Sequence, residues 1–239
     1  MTSKQGSRII STTLSPALRL WLRSQVSQVE NLQFKISGGD RQILTGYIPQ
    51  VFIAANHAVY QGLHLSRIQL TGENIRINLG QVLRGKPLRL LEPIPVSGEL
   101  ILEETDLKAS LQAPLFATAL TDLLGTLLQA VPTHPADILK DQQISWQQIT
   151  IDPECLKLSG TLTDPSGNAT PLVLRTGLKL ASPHELLLES PCIETQQELL
   201  RGNLDEFKID LGPEVDIQEL TVIPGQLVCR GRINVIPAE

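Results

Sequence analysis

The chain has 239 residues, which is enough for one large β-rich domain or two small ones around a substantial core. Aromatic residues make up only 3% of the chain against 41% hydrophobic residues overall, so leucine, isoleucine, valine and alanine must fill most of the interior. Residues 1–110 carry 12 Lys and Arg against 8 Asp and Glu, whereas residues 111–239 carry 8 against 17. The whole chain is acidic, with a formal net charge of -5, which argues against nucleic acid as a partner.

The cysteine spacing and the absence of known catalytic motifs indicate a protein that binds no metal or cofactor and catalyses no reaction. Cys155, Cys192 and Cys229 are far apart and odd in number, which gives neither a disulfide framework nor a zinc pattern and favours a reducing compartment. The sequence contains no GxSxG, HExxH, Walker or Gly-rich dinucleotide motif. We therefore expect no enzyme activity, no cofactor and no metal.

The N-terminal stretch predicts nine flexible residues followed by a single domain over residues 10–239. Ser15 and Pro16 are typical of an N-cap and a first helical residue, and apolar residues then recur at helical spacing at Ala17, Leu18, Trp21, Leu22, Val26, Val29 and Leu32. This stripe either packs on a sheet, which is the commoner arrangement, or docks on a membrane. In the docking interpretation the contact residues are Leu18, Arg19, Trp21, Leu22 and Arg23.

The stretch LHLSRIQLTGENIRINL, residues 63–79, alternates apolar and polar residues, but the apolar positions change from even to odd numbers on either side of residues 71–74. Such alternation predicts half-buried strands, and the turn residues in between predict a hairpin or a bulge. The polar partners Arg67, Gln69, Arg76 and Asn78 are expected to face water. This pattern suits an antiparallel sheet with one wet face.

The stretch APLFATALTDLLGTLLQAV, residues 113–131, predicts a helix that begins at Pro114. Its apolar residues form a double stripe that is broad enough to be buried by a curved sheet. Five polar residues make it a poor membrane span. Two interpretations remain open, namely a core helix and a helix that lines an apolar cavity.

The second half of the chain returns to β patterns over residues 144–164, 170–190, 204–211 and 215–236, with DPSGNAT (164–170) as a hairpin turn. ITIDPECLKLSGTL and LTVIPGQLVCRGRI share a strand, a Pro-bearing turn, a strand and a glycine, which predicts one hairpin used twice. Runs of long hairpins predict an α+β protein with an extended antiparallel sheet, which must twist and curl over whatever covers its apolar face.

The order of these elements resembles the LmeA-type phospholipid-binding family, formerly a bacterial domain of unknown function. The YxGL sequence at Tyr60–Leu63 and the GxxxxxxxDL passage at Gly98–Leu107 carry the resemblance, which covers roughly residues 10–236. It implies a fold similar to tubular lipid-binding proteins, in which a long, strongly twisted antiparallel sheet curls around one or two amphipathic helices. It also implies affinity for phospholipids.

These observations lead to the hypothesis of a nonenzymatic phospholipid-binding protein, a lipid carrier or sensor that holds acyl chains in an apolar groove. The strands of residues 63–79 would face this groove, and the groove residues on the helix would be Leu115, Phe116, Leu120, Leu123, Leu124, Leu127 and Leu128. The headgroup candidates are Arg76, Arg84, Lys86 and Arg89, because phosphate is bound by fixed cationic donors; otherwise they form a solvated turn.

The alternative hypothesis is a noncatalytic protein-interaction or assembly module with a fully packed core. No continuous apolar segment typical of a signal peptide or a membrane span occurs, whereas envelope members of the family are exported behind a signal or anchor. We therefore expect a cytoplasmic protein in peripheral contact with the inner membrane face.

Overall fold

The computed structural model describes residues 26–130, 142–195, 199–200 and 204–237, and the structural statements below refer to these ranges. The predicted α+β class is confirmed, because antiparallel strands dominate and helices are few. The strands form two six-stranded sheets rather than one continuous sheet. The predicted docking residues Leu18, Arg19, Trp21, Leu22 and Arg23, and the predicted domain start at residue 10, lie outside the described residues.

The first sheet combines strands from both ends of the chain in the order β1-β2-β3-β4-β12-β11. Its strands are β1 (Gln28–Ser37), β2 (Tyr47–Tyr60), β3 (Leu63–Arg76), β4 (Ile94–Glu103), β11 (Val215–Ile223) and β12 (Gln226–Val235). The second sheet has the order β10-β8-β7-β6-β5, with β9 paired to β8. Its strands are β5 (Gln143–Asp152), β6 (Cys155–Thr163), β7 (Ala169–Ser182), β8 (Glu185–Thr195), β9 (Leu199–Leu200) and β10 (Glu206–Asp210).

The described residues include four helices: α1 (Asp40–Leu44), α2 (Leu79–Val82), α3 (Glu104–Ser110) and α4 (Pro114–Ala130). The predicted helix start at Pro114 is confirmed. No single described helix has the length and apolar character to cross a membrane; α3 and α4 meet those criteria only as a pair, and that pair is bent by 92°.

The larger core lies between α4 and the second sheet. The helix buries Leu120, Leu124, Leu127 and Leu128 there, against sheet residues that include Trp146. The Trp146 Nε1–H donates to Thr121 Oγ1 at 3.3 Å, so the indole has a polar partner although the residue is buried. Leu102, Val222 and Leu227 of the first sheet also pack against this core, which joins the two sheets.

A second core lies at the opposite end of the first sheet, where β2 begins and β3 ends; we call this the distal end. Ile48, Ile75 and Ile94 of the sheet pack there against Ile43 of α1 and Leu79 of α2. The expectation that residues 63–79 face the long helix is therefore wrong for the last part of that stretch, because short segments at the distal end cover it instead.

The change from even to odd apolar positions after residue 70 is caused neither by the predicted hairpin nor by a bulge that shifts the register. β3 runs on as one strand, and its register with β2 is unbroken from Leu63 to Arg76. Asn74 has a left-handed backbone (φ 54°), which turns the following side chains to the other face. Asn78, expected to face water, is buried at 8% exposure because the loop after β3 folds around it.

The predicted N-terminal helix does not extend to Leu32, because residues 28–37 form β1. Leu32, Phe34 and Ile36 alternate with polar residues, and Phe34 and Ile36 lie opposite Ile53 and Val51 of β2. Pairing with a long neighbouring strand outweighs the helical spacing of the preceding apolar residues.

The predicted repeated hairpin is confirmed as β5–β6 and β11–β12. Each copy has an extra glutamine on its first strand, Gln147 or Gln218, where the register shifts. Opposite each shift lies a glycine, and a Cβ atom at Gly160 or Gly231 would come within 2.6 or 2.4 Å of a backbone oxygen of the first strand. The shared glycine thus makes room for a β-bulge in both sheets.

Candidate functional site

One face of the first sheet carries cross-strand rows of apolar residues that lie between the two cores. The backbone register brings together five strands, β2, β3, β4, β12 and β11, in each row. We call two of these rows the apolar strip; the first is Ala55, Ile68, Leu100, Cys229 and Leu220, and the second is Ile53, Leu70, Gly98, Gly231 and Ile217. Four spacings of about 4.8 Å make each row about 19 Å long, which is comparable to an extended acyl chain.

The first row of the strip is covered by neither core, whereas Ile53 and Leu70 of the second row pack against the core at the distal end. Ile68, Leu100 and Leu220 are half-buried, and among the described residues they are packed into neither hydrophobic cluster. Cys229 lies beside Leu100, and burial raises the pKa of its thiol. The centre of the strip is therefore an apolar surface that neither core covers within the described ranges.

The second row of the strip has two glycines side by side at its centre. Gly98 pairs with Gly231, so two neighbouring strands lack side chains at the same height. A Cβ atom at Gly98 would lie 2.5 Å from Leu70 Cδ2 and 2.6 Å from Gln69 O. The glycines are thus required by close approach of the neighbouring chains, and they leave a shallow floor beside the first row.

The opposite face of the first sheet is polar. The Arg230 guanidinium contacts Glu99 and Glu219, and these two carboxylates raise the pKa of the arginine. Two surface cavities of about 260 and 150 Å³ open on this face near Arg67. Both are smaller than the roughly 300–1,000 Å³ of a typical ligand pocket. This is the wet face that the alternating sequence predicted.

The structure places the predicted acyl-groove residues of α4 in two environments. Leu120, Leu124, Leu127 and Leu128 are closed into the larger core, and Leu124 has no exposed surface. Phe116 and Leu123 are partly buried at the margin of the same core, and Leu115 is exposed. The groove on this helix remains a prediction, and a lipid there would have to displace packed side chains.

Three of the four predicted headgroup residues lie together in the loop after α2. Arg84, Lys86 and Arg89 are exposed, and none of them forms an ion pair within the described part of the chain. Gly85 has a left-handed backbone (φ 78°), and the Lys86 and Gly85 N–H groups donate to Gln81 O and Val82 O. These bonds are a Schellman motif that ends α2 and sends the two flanking basic side chains into an exposed turn.

Arg76 differs from the other three candidates, because it already has partners. Its Nε lies 3.3 Å from Glu92 Oε2, and its guanidinium lies 5.8 Å from the centroid of the Tyr47 ring. The role of all four in headgroup binding stays a prediction, but the structure brings only Arg84, Lys86 and Arg89 into one unneutralised group.

Asn78 holds this basic loop in place. Its side-chain amide donates to Pro87 O at 3.0 Å, and its Oδ1 accepts from the Arg89 N–H at 2.8 Å. A second amide bond reaches Gln81 Oε1 at 3.2 Å. The buried asparagine is thus the link between α2 and the segment that returns to the sheet.

Replacing Asn78 by alanine is expected to destabilise the protein by about 2 kcal/mol, because the loop loses the part-buried hydrogen bonds from Asn78 to the backbone of Pro87 and Arg89. Urea unfolding measures the loss, and limited trypsin digestion should show faster cleavage after Arg84. Asn234→Ala is the matched control, since that asparagine is exposed on β12. Equal stability and equal cleavage in the two variants would contradict the role given to Asn78.

Sequence reasoning missed the apolar strip, although its strands have a visible signal. Ile94, Val96, Leu100 and Leu102 alternate along β4, and Leu227, Cys229, Ile233 and Val235 alternate along β12. Their face is shared only because β12 pairs with β4 in register, and more than a hundred residues separate the two strands in the sequence. No local pattern reveals such a pairing.

The fold and this face define a β-rich protein that presents an apolar surface. Within the described residues no cluster of three or more His, Cys, Asp and Glu side chains could hold a metal ion. The chain belongs to the LmeA-like phospholipid-binding family, whose model matches residues 6–232. The suspected family is therefore confirmed, and lipid binding rather than catalysis is the property that describes it.

Comparisons with curated proteins and with solved structures gave no match. The likeness to tubular lipid-binding proteins consequently remains a prediction.

Proposed function

We propose that this protein binds a phospholipid with an acyl chain on the apolar strip of the first sheet, and that it acts as a carrier at a membrane surface. Membership of a phospholipid-binding family supports the ligand class. The observation that supports the location is the half-buried row of Ile68, Leu100 and Leu220, which is packed into neither core.

The energetics suit a carrier. Each methylene of a lipid tail loses about 0.8 kcal/mol when it leaves an apolar environment for water, and an apolar strip of similar length returns most of this. The net free energy of moving a chain from bilayer to protein is then small, so binding is reversible. Such a site needs orientation and exclusion of water but no catalytic residue.

The strip is a better acyl site than the face of α4. A chain on the strip would cover half-buried residues, whereas a chain beneath α4 would have to replace contacts of Leu124 and Leu127, which are fully buried. Protein interiors are packed at crystal-like density, so opening such a contact has a large free-energy cost.

The alternative, an assembly module with a fully packed core, fits the larger core but not the strip. In that case the strip would be covered by another protein chain instead of by lipid. We propose the lipid on the strength of the family, and a cytoplasmic location at the inner membrane face completes the proposal.

Organic extraction and native mass spectrometry of the purified protein test the proposed function. Copurifying phospholipid in near-stoichiometric amount is the expected result. Protein that is free of lipid, and that still takes up none from added monomeric short-chain phospholipid, would favour the assembly module.

The thiol of Cys229 gives a residue-level test, because it lies in the centre of the strip. In the Cys155→Ser/Cys192→Ser background it is the single thiol of the chain. Its raised pKa lowers the thiolate fraction at pH 8, so alkylation of the lipid-free protein is slow and speeds up as pH rises. We expect short-chain phospholipid to slow alkylation at fixed pH by a further tenfold or so.

The control for this experiment moves the thiol by one residue to the polar face. Val228 lies opposite Ile101 in the register, whereas Cys229 lies opposite Leu100. In the variant Val228→Cys/Cys229→Ser, with the other two cysteines also replaced, lipid should not change the alkylation rate. Equal protection of both thiols would argue for a global effect of lipid and against the strip.

A further inference from the structure

The distal end of the first sheet carries a cluster of exposed leucines next to unpaired basic residues. Leu44, Leu83 and Leu91 are between 50% and 60% exposed, which is unusual for large apolar side chains in one small region. Leu83 directly precedes Arg84, and Leu91 follows Arg89 by two positions. We call Leu44, Leu83, Arg84, Lys86, Arg89 and Leu91 the distal tip.

Backbone contacts bring these residues to one end of the molecule. The Ile77 N–H donates to Gly46 O at 2.9 Å, which places the end of α1, and with it Leu44, beside the start of the basic loop. The Leu91 N–H donates to Arg76 O at 2.9 Å, where β3 ends. The tip therefore lies at the end of the sheet where β2 begins and β3 ends, opposite the end near α4.

The distal tip is positively charged, and its basic side chains are not neutralised by ion pairs within the described ranges. Glu92 is the nearest acidic residue in sequence, and it is ion-paired with Arg76. Arg84, Lys86 and Arg89 have no ion-pair partner in the described ranges, and the buried Asn78 fixes the loop that carries them. Exposed leucines beside fixed cations are complementary to an anionic bilayer, in which acyl chains lie beneath phosphate groups.

We infer that the distal tip is a membrane-docking surface that inserts Leu83 and Leu91 into the interface of an anionic bilayer while Arg84, Lys86 and Arg89 contact its phosphates. This docking surface is separate from the proposed acyl site. It rests on the proposed function only in the purpose that docking would serve. Ile233, 45% exposed, lies on β12 between the strip and the distal end, on the side that a lipid leaving the bilayer would reach first.

Cosedimentation with vesicles tests the tip. The probe is a vesicle of mixed phosphatidylcholine and phosphatidylglycerol, compared with pure phosphatidylcholine. A basic residue near an anionic surface contributes about fivefold to binding, so Arg84→Gln/Lys86→Gln/Arg89→Gln should weaken it about 100-fold. Leu83→Ser/Leu91→Ser should weaken it about tenfold, and added salt should weaken the wild type.

Matched controls remove the same groups elsewhere. Arg67→Gln/Lys108→Gln/Lys157→Gln lowers the charge equally outside the tip. Leu115→Ser/Ile223→Ser removes two exposed apolar residues, one on α4 and one at the end of β11. Both controls should bind like the wild type. Wild-type binding by the tip variants, or an equal loss in the controls, would overturn the inference and would favour the N-terminal segment or general charge attraction.

A monomeric short-chain phospholipid separates this inference from the proposed function, because it reaches the strip without a membrane. Leu83→Ser/Leu91→Ser, which leaves the headgroup candidates in place, should lose vesicle binding and keep lipid protection of Cys229. If wild-type protein binds vesicles through the tip but its Cys229 is never protected, the acyl site is wrong and the docking surface stands.

Discussion

Replacing Leu124 by alanine is expected to destabilise the protein by about 3–5 kcal/mol, the largest stability loss that we predict for any single substitution. Leu124 has no exposed surface and lies in the centre of the helix face that packs on the second sheet. Truncation removes the transfer free energy of the lost methyl groups and leaves a cavity that the sheet cannot fill. For a chain of this size, the melting temperature should fall by about 10 °C.

Leu115→Ala is the matched control on the same helix, because Leu115 is 51% exposed. It should change the free energy of unfolding by less than about 1 kcal/mol. The comparison also decides the role predicted for α4. The opposite result would be a nearly unchanged melting temperature with loss of lipid protection at Cys229. In that case α4 lines the acyl groove, and the packed arrangement of its leucines is not needed for stability.

Replacing Leu100 by glutamine is expected to weaken phospholipid binding about 100-fold with little loss of stability. Leu100 lies in the middle of the first row of the strip, between Ile68 and Cys229. An amide there loses the apolar contact of leucine and must give up its hydrogen bonds with water when a chain covers it, together about 3 kcal/mol. Titration with short-chain phospholipid, followed by alkylation of Cys229, measures the change.

Ile101→Gln controls for this prediction, because the next residue of β4 faces the polar side. Ile101 lies opposite Arg67 and Val228, and like Leu100 it is half-buried. The same change in side-chain chemistry should leave lipid affinity within about twofold of the wild type. Should both variants lose binding equally, the effect comes from damage to β4; should neither lose it, lipid does not lie on the strip.

Leu100→Gln and Leu124→Ala test two apolar positions that look alike in the sequence but differ in what covers them. Leu100 and Leu124 both belong to regular apolar patterns, one with a period of two and one with helical spacing. The pattern identifies the buried side of each element. It does not say whether that side meets another element, and here the helix meets the second sheet whereas the centre of β4 meets neither core.

The chain could be interpreted correctly where structure depends on neighbours in sequence. The helix start at Pro114, the DPSGNAT turn and the hairpins at Pro153 and Pro224 all follow from residues within one or two turns of backbone. Their physical causes are the fixed φ of proline, capping by Asp164 and alternation. Each of these causes acts over a few residues.

Interpretation failed where distant contacts decided between two locally acceptable states. Val29 and Leu32 fit a helical stripe, yet β1 forms because its residues complete an apolar face on β2. The polar Asn78 suggested an exposed position, yet its amide is satisfied by Pro87 and Arg89 in a buried loop. A buried polar residue of this kind is stable only when such partners exist, and the sequence does not display them.

By itself, the sequence determined the antiparallel α+β class, the long helix and the family, because periodicity, turn chemistry and motifs are properties of contiguous residues. Only the tertiary structure decided that the strands divide into two sheets and that β12 returns to pair with β4. The tertiary structure also places the apolar strip between the two cores, with its first row packed into neither. The pairing of remote strands depends on summed burial and hydrogen bonding across the whole fold, which no single segment encodes.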